Sequence, residues 1–224
     1  KKFSKSHRIG VWMDEALRVA PPDYWRYLLI ALRPETKDAN FTWKDFQARI
    51  NADLNDVLGN FIHRTLTFIE NNFSGSLPAP GELDERDNAI LRRLRDSPAR
   101  AGAYLDQCKL REALSVVIDL AREGNLYLSE SEPWHTIKRE PVRAHTTMFI
   151  CSQLVRSLAI LLAPFLPTTA ESIWSQLGLQ GFSASARWEE AGEIRLREGH
   201  QIGHPVPVFK KISDEQIKAS AGIG

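Results

Sequence analysis

The stretch PVRAHTTMFICSQLVRSLAILLAPF, residues 141–165, decides the fold. It is the most apolar helical pattern in the chain, and a helix this apolar is expected at the centre of a helix bundle. Its longest apolar run, Ser157–Pro167, is too short to span a bilayer and contains prolines. The sequence therefore predicts a central core helix in a mainly α protein, with no membrane span.

Further helical patterns flank this stretch on both sides. Residues 84–94 (DERDNAILRRL) begin a helix with acidic side chains, which the helix dipole favours, and Ser97-Pro98 predicts a kink or an interruption in it. Residues 109–131 and 168–179 show two more helical patterns. In the long pattern that begins near Trp43, apolar residues recur at steps of three, four or seven and mark a buried stripe: Phe46, Ile50, Leu54, Val57, Phe61 and Phe68.

Three parts follow from these patterns. Residues 1–44 are an opening loop and a small connecting segment, expected to be α/β, which Trp25 and Trp43 fasten to the bundle. Residues 45–180 are the antiparallel helix bundle, with short connecting loops. Residues 181–224 are richer in glycine and proline and predict an irregular carboxy-terminal tail that packs against something else, which the sequence does not identify.

Composition excludes several classes of protein. The 224 residues are 43% hydrophobic and 25% charged, which indicates a soluble globular protein rather than a disordered one. The net charge of +1 means that any RNA contact must come from a local basic face. Cys108 and Cys151 lack metal-ligand spacing, so no metal site is expected, and so few cysteines fit a reducing compartment. Because the start of the chain has no signal-peptide pattern, we expect a cytoplasmic protein.

The segment KFSKS, residues 2–6, supplies two ammonium groups and two hydroxyls in one short loop. Lysines neutralise phosphate oxygens as mobile point charges, and hydroxyls add hydrogen bonds, so such a loop suits a triphosphate. By composition alone, a solvated basic chain end explains this loop at least as well.

Asn60, Arg64 and Trp134 are candidates for contact with nucleic-acid bases. Asn60 and Arg64 lie four residues apart, so both project from one side of a helix, and their side chains offer hydrogen bonds to a base edge. Trp134 lies at a helix start beside His135, Lys138 and Arg139 and offers a stacking surface. Taken alone, the pattern favours an exposed polar pair and a packed tryptophan over contact with bases.

Several segments together resemble one family of proteins. KFSKS resembles the KMSKS signature of class I aminoacyl-tRNA synthetases, with Phe3 in place of methionine. The segments that follow it are similar to methionyl-tRNA synthetases of the archaeal and eukaryotic kind: residues 2–17 (KFSKSHRIGVWMDEAL), 23–46 (DYWRYLLIALRPETKDANFTWKDF), 51–64 (NADLNDVLGNFIHR) and 205–212 (PVPVFKKI). The resemblance covers most of the chain from Lys2 to about Leu179.

The resemblance implies roles for two groups of residues. Lys2 and Lys5 match the signature lysines, which act on the ATP phosphates during methionyl-adenylate formation, and Ser4 and Ser6 would add hydrogen bonds to ATP. Three further residues match the family's anticodon-contacting residues: Asn60, Arg64 and Trp134. The helix bundle would then be an anticodon-binding domain that recognises tRNA(Met). Basic residues at 90–100 and at Lys138, Arg139 and Arg143 are candidate phosphate contacts.

The resemblance also implies that the chain is the carboxy-terminal portion of a longer ligase. The nucleotide-binding half, the methionine pocket and any zinc insertion would then lie before Lys1, and that catalytic half would be a partner of this chain. The whole enzyme would use ATP with Mg²⁺, whereas this portion alone would bind no cofactor and would be inactive. Two alternatives stay open at this point: the equivalent portion of a cysteine, valine or isoleucine enzyme, or a non-catalytic helical interaction module.

Overall fold

The computed structural model describes residues 11–33 and 41–221, with side chains up to Lys218. The described residues form helices and contain no β-strand; Ser76 and Gln201 form one isolated antiparallel bridge. The helices are α1 (Met13–Val19), α2 (Pro22–Ala31), α3 (Trp43–Arg49), a π-helical segment (Ile50–Gly59), α4 (Asn60–Phe73), α5 (Glu85–Asp106), α6 (Leu110–Ser131), α7 (Pro133–Arg139), α8 (Pro141–Leu162), α9 (Pro167–Gln176) and α10 (Asp214–Ala221). Two short 3₁₀ turns, Ser183–Ser185 and Trp188–Gly192, lie between α9 and α10. The prediction of a mainly α helix bundle is confirmed.

Helix α8 is the centre of the bundle, as its sequence predicts. Seventeen of its 22 residues are buried, and it packs against α4, α5, α6, α7 and α9. By length and composition α8 could cross a membrane, yet 89% of its apolar 18-residue window is buried inside the protein. That burial is the arrangement of a core helix, because every residue from 150 to 162 is buried.

The chain from Trp43 to Phe73 is continuously helical and carries the predicted buried stripe. Phe46, Ile50, Leu54 and Phe61 are fully buried, whereas Val57 and Phe68 are partly buried. Thr42 begins the run, since its hydroxyl accepts a hydrogen bond from the backbone N–H of Asp45 at 3.0 Å. The middle of the run is a π-helix, which the spacing of apolar residues does not reveal, and the backbone N–H of Asn60 bonds to the carbonyl of Asn55, five residues earlier.

The connecting segment is helical wherever the structure describes it. Within 11–33 and 41–44 it contains α1 and α2 and no strand, so the β structure expected for this segment is not found there. Pro22 explains the second helix, because proline at the first helical position loses no hydrogen bond. The predicted fastening by tryptophan is confirmed: the Trp25 ring stacks on Phe46 with centroids 4.3 Å apart, and its indole N–H donates to the Ala16 carbonyl at 2.8 Å.

The segment after α9 folds back over the bundle. The buried Gln153 side chain of α8 donates to the Leu196 carbonyl at 2.9 Å and accepts from the backbone N–H groups of Arg195 and Leu196. Farther on, the Tyr24 hydroxyl bonds to both the N–H and the carbonyl of Lys210. A single apolar core extends from Ala16 to Ile212. The division into parts at residues 44 and 180 stays a prediction.

Candidate nucleic-acid interface

The three predicted base-contacting residues lie at the starts of two helices. Asn60 is the first residue of α4 and is exposed, and Arg64 follows one turn later and is half-buried. Trp134 is the second residue of α7, and 36% of its surface is exposed. None of the three is in the core, so all three can reach a ligand. The core alternative for Trp134 is therefore wrong.

The structure brings Arg64 and Trp134 together across two helices. The guanidinium carbon of Arg64 lies 5.0 Å from the centroid of the Trp134 ring, which is cation–π geometry. The His135 ring lies edge-on to the indole, with centroids 6.2 Å apart. An aromatic ring beside a planar guanidinium is the combination that holds an unstacked base, since one supplies a stacking face and the other supplies hydrogen-bond donors.

A groove of about 280 Å³ runs beside this pair. Its apolar lining is Phe68, Leu128 and Pro133, and its polar lining offers hydroxyl, amide and imidazole groups. The full lining is His63, Arg64, Thr67, Phe68, Asn71, Asn72, Leu128, Pro133 and Trp134. Flat apolar walls with polar groups at the edge suit a nucleobase, whose faces are apolar and whose edges bear donors and acceptors.

Asn60 lies in a second depression, next to the first. This depression has a volume of about 310 Å³ and is lined by Asn55, Asp56, Gly59, Asn60, His63 and the chain segment 207–209. His63 lines both depressions, so they adjoin each other on one face of α4. Gly59 allows Phe209 to pack closely on the helix, because a Cβ there would lie 3.1 Å from the Leu54 carbonyl oxygen and 3.2 Å from the Phe209 ring.

Several lining residues were not among the residues singled out from sequence. Thr67 and Asn71 belong to the same helical face as the predicted pair, since positions 60, 64, 67 and 71 follow steps of four, three and four. That spacing is the signal that could have found them. The contribution of residues 207–209 could not have been found this way, because it comes from a segment about 150 residues away in the chain.

The basic residues near the groove differ in whether an acidic side chain already binds them. Lys138 and Arg139, in the last turn of α7, are exposed and form no ion pair with another residue that the structure describes. Arg143 was a third candidate phosphate contact, but its guanidinium is bound to Asp87 through two hydrogen bonds. Arg143 is therefore excluded as a phosphate ligand.

The residues predicted to handle phosphate, Lys2, Ser4, Lys5 and Ser6, lie outside the described residues. Within residues 11–33 and 41–221 there is no group of three or more histidine, cysteine, aspartate or glutamate side chains that could hold a metal ion.

Two family models match different parts of the chain. A model described as "tRNA synthetases class I (M)" matches residues 1–66, and one described as "Anticodon binding domain of methionyl tRNA ligase" matches residues 77–221. The second match contains α7 and Trp134, whereas Asn60 and Arg64 lie within the first. The contact between Arg64 and Trp134 thus joins segments that two different family models match.

Two relatives and one solved structure that resemble this chain are methionine–tRNA ligases, also called methionyl-tRNA synthetases. The methionine–tRNA ligases of Metallosphaera sedula and Pyrococcus abyssi are 40% and 42% identical to this chain, over 96% and 97% of its length. The chain spans 37% and 29% of those two relatives. Among solved structures, the Mycobacterium tuberculosis methionyl-tRNA synthetase bound by methionyl-adenylate superposes with a TM-score of 0.86 and 30% identity, over 93% of this chain and 42% of that one.

These matches bear on the alternatives that the sequence left open. These two relatives are methionine enzymes rather than cysteine, valine or isoleucine enzymes, and the solved methionyl-tRNA synthetase shares the fold at 30% identity. The model of the methionyl-tRNA ligase anticodon-binding domain matches well over half of the residues of this chain. The chain therefore belongs to the methionyl-tRNA ligase family.

Proposed function

We propose that this chain is the anticodon-binding part of a methionine–tRNA ligase and that it binds tRNA(Met) through the CAU anticodon. The observation that carries the proposal is the contact between Arg64 and Trp134 beside the groove. A cation–π pair that is partly exposed and flanked by donors and acceptors is a base-binding arrangement. An interaction module without an RNA role gives no reason for this arrangement.

Each residue of the interface has a distinct part in the proposal. Trp134 stacks on an anticodon base, and Arg64, held beside the indole, donates hydrogen bonds to a base edge. Asn60 offers a donor and an acceptor to a second base in the adjoining depression. Lys138 and Arg139 neutralise RNA phosphates, which positions the tRNA without reading its sequence.

The opening loop has a separate part, in methionine activation. Lys2 and Lys5 would stabilise the negative charge on the phosphates of ATP, bound with Mg²⁺, and Ser4 and Ser6 would add hydrogen bonds. The products of that step are methionyl-adenylate and pyrophosphate, and transfer of methionine to tRNA follows. This chemistry requires the amino-terminal catalytic half of the enzyme, so we expect the chain alone to be inactive. We expect the enzyme to be cytoplasmic.

Base-by-base discrimination tests the anticodon assignment. We expect Asn60→Ala and Arg64→Lys each to lose discrimination of about 1–3 kcal/mol at one anticodon position, because each removes the side chain that pairs with that base edge. Arg64→Lys keeps the charge but loses the planar fork, so general attraction to RNA is retained. The measurement is the dissociation constant for hairpins that carry CAU and each single-base change.

Lys138→Ala is the matched control, and it should weaken all these hairpins by the same factor. If Asn60→Ala and Arg64→Lys behave like Lys138→Ala, neither side chain reads a base.

The opening loop is tested in the full-length ligase that the proposal assigns to this chain. We expect Lys5→Ala to slow methionine-dependent exchange of pyrophosphate into ATP by about 10²-fold or more, because a charge-stabilising donor is lost. Affinity for the CAU hairpin should not change, since the proposal gives Lys5 no part in binding the anticodon. An unchanged exchange rate would remove Lys5 from the adenylation step.

A further inference from the structure

The Trp134 ring is only partly enclosed by protein. Helix α7 has seven residues, and the turn before it places Glu132 in the left-handed region with φ of 42°. More than a third of the Trp134 side chain is exposed, and Arg64, its partner in the groove, is itself half-buried. The helices before and after it, α6 and α8, therefore also contribute to the position of α7.

A buried cluster joins the helices that flank α7. Tyr127 lies on α6, six residues before Pro133, and Arg143 lies in the first turn of α8. Both bind Asp87, in the first turn of α5, whose side chain is fully buried. In the chain, α7 therefore lies between Tyr127 and Arg143, which are both bound to Asp87.

The hydrogen bonds within the cluster satisfy the Asp87 carboxylate. Arg143 binds it through both terminal nitrogens, at 2.6 Å to Oδ2 and 2.5 Å to Oδ1. The Tyr127 hydroxyl donates to Oδ1 at 2.6 Å and accepts from Arg143 at 3.1 Å. The backbone N–H of Asp84 donates to Oδ2 at 2.9 Å. Bidentate, charge-assisted bonds of this kind fix direction as well as distance.

The protonation states agree with this pattern. Burial by itself raises the pKa of the Asp87 carboxyl, but the hydrogen bonds from Arg143, Tyr127 and the Asp84 backbone outweigh burial and hold that pKa below its usual value. Burial, Cys151 and the bond to Asp87 raise the pKa of the Tyr127 phenol well above its usual value. At neutral pH Asp87 is therefore an anion and the phenol keeps the proton that it donates.

We propose that Tyr127 is a positioning residue for Trp134, acting through the buried bonds that tie it to Asp87 and Arg143. These bonds hold the end of α6 and the start of α8 at a fixed separation, so the short helix between them presents its indole to Arg64. Leu128, next to Tyr127 in the chain, lines the groove, which connects the cluster directly to the groove wall. This role rests on the proposed anticodon function.

A second cluster of the same composition provides a matched control. The Tyr27 hydroxyl donates to Oδ2 of Asp53 at 2.5 Å, and Arg122 donates to Oδ1 of Asp53 at 2.5 Å. This cluster joins α2, the π-helical segment and α6, and it does not flank α7. Tyr27→Phe and Tyr127→Phe each remove one phenol hydroxyl from a carboxylate and leave an arginine bound to it.

The experiment compares these two variants by a readout at Trp134 itself. The chain is labelled with 5-fluorotryptophan, and the Trp134 resonance among the six tryptophans is assigned from Trp134→Phe. We expect Tyr127→Phe to shift or broaden that ¹⁹F resonance and to weaken binding of a CAU hairpin by about tenfold, the loss expected for one hydrogen bond to a charged group. Tyr27→Phe should leave both the resonance and the affinity unchanged.

Two results would overturn the positioning role. One is an unmoved Trp134 resonance in Tyr127→Phe; the other is an equal change in both variants, which would mean that loss of either tyrosine–carboxylate bond disturbs Trp134. The ¹⁹F readout needs no RNA, so it decides the positioning role by itself. Failure of the proposed function has a different signature, namely equal affinity of the unaltered chain for hairpins with and without CAU.

Discussion

Replacing Trp134 with alanine should weaken binding of a CAU anticodon hairpin by about 5- to 150-fold, because one base–aromatic stack contributes about 1–3 kcal/mol. Affinity for a hairpin with an unrelated anticodon should change far less, since the phosphate contacts of Lys138 and Arg139 are retained. The loss should also exceed that of any single phosphate contact, because Arg64 loses its aromatic partner at the same time. Fluorescence anisotropy of labelled hairpins at one fixed salt concentration measures both affinities.

Two variants separate stacking from other effects of this change. Trp134→Phe keeps an aromatic face of smaller area, so we expect an intermediate affinity for the CAU hairpin. Phe182→Ala removes an aromatic side chain that is 68% exposed and lies outside both depressions, so it should leave both affinities unchanged. Equal losses for the two hairpins in Trp134→Ala would contradict the stacking role.

Phe61→Ala should cost about 3–5 kcal/mol of unfolding free energy, because it removes a fully buried aromatic ring from the core. Phe61 follows Asn60 directly on α4, and its ring lies against Gly124 on α6. The ring therefore packs the helix that carries Asn60 and Arg64 against α6. For a chain of this length the loss corresponds to a fall of roughly 6–20 °C in Tm, measured by circular dichroism.

A double-mutant cycle tests the close approach of these helices. A Cβ on Gly124 would lie 2.6 Å from the Cζ atom of Phe61, too close for real atoms, so Gly124→Ala should destabilise the protein by about 1–3 kcal/mol. In a Phe61→Leu background the ring tip is gone and the cost of Gly124→Ala should fall. The change in helix propensity is the same in both backgrounds and cancels. An equal cost in both would mean that the two helices are not in tight contact.

The core could be read from the sequence because it depends on local spacing, whereas the base-contacting roles of Asn60, Arg64 and Trp134 came from the family resemblance and stay predictions. The apolar character of α8 and the stripe from Phe46 to Phe61 follow from which residues recur on one helical face. The proximity of Asn60 to Arg64 follows in the same way. The proximity of Arg64 to Trp134 does not, since 69 residues lie between them in the chain; the family resemblance implied an anticodon role for each of the two residues but no contact between them.

The sequence misled where a bond within a helix or a contact distant in the chain outweighs a local rule. Ser97-Pro98 predicts a kink or an interruption, and α5 is not interrupted, since it runs from Glu85 to Asp106. There the Ser97 hydroxyl donates to the Arg93 carbonyl at 2.7 Å, and the Pro98 carbonyl accepts the indole N–H of Trp188 at 2.8 Å. The sequence also made Arg143 a candidate phosphate contact, because nothing in its local sequence shows that Asp87, 56 residues earlier, binds it.

The measurement that tests the central claim most directly is binding of the unaltered 224-residue chain to two hairpins that differ only in the anticodon, at two or more salt concentrations. The account predicts a preference for CAU that persists as salt rises, because stacking and base-edge bonds do not depend on released counterions, while both affinities fall together. Equal affinities for the two hairpins at every salt concentration would contradict it, and the groove between α4 and α7 would then not be an anticodon site.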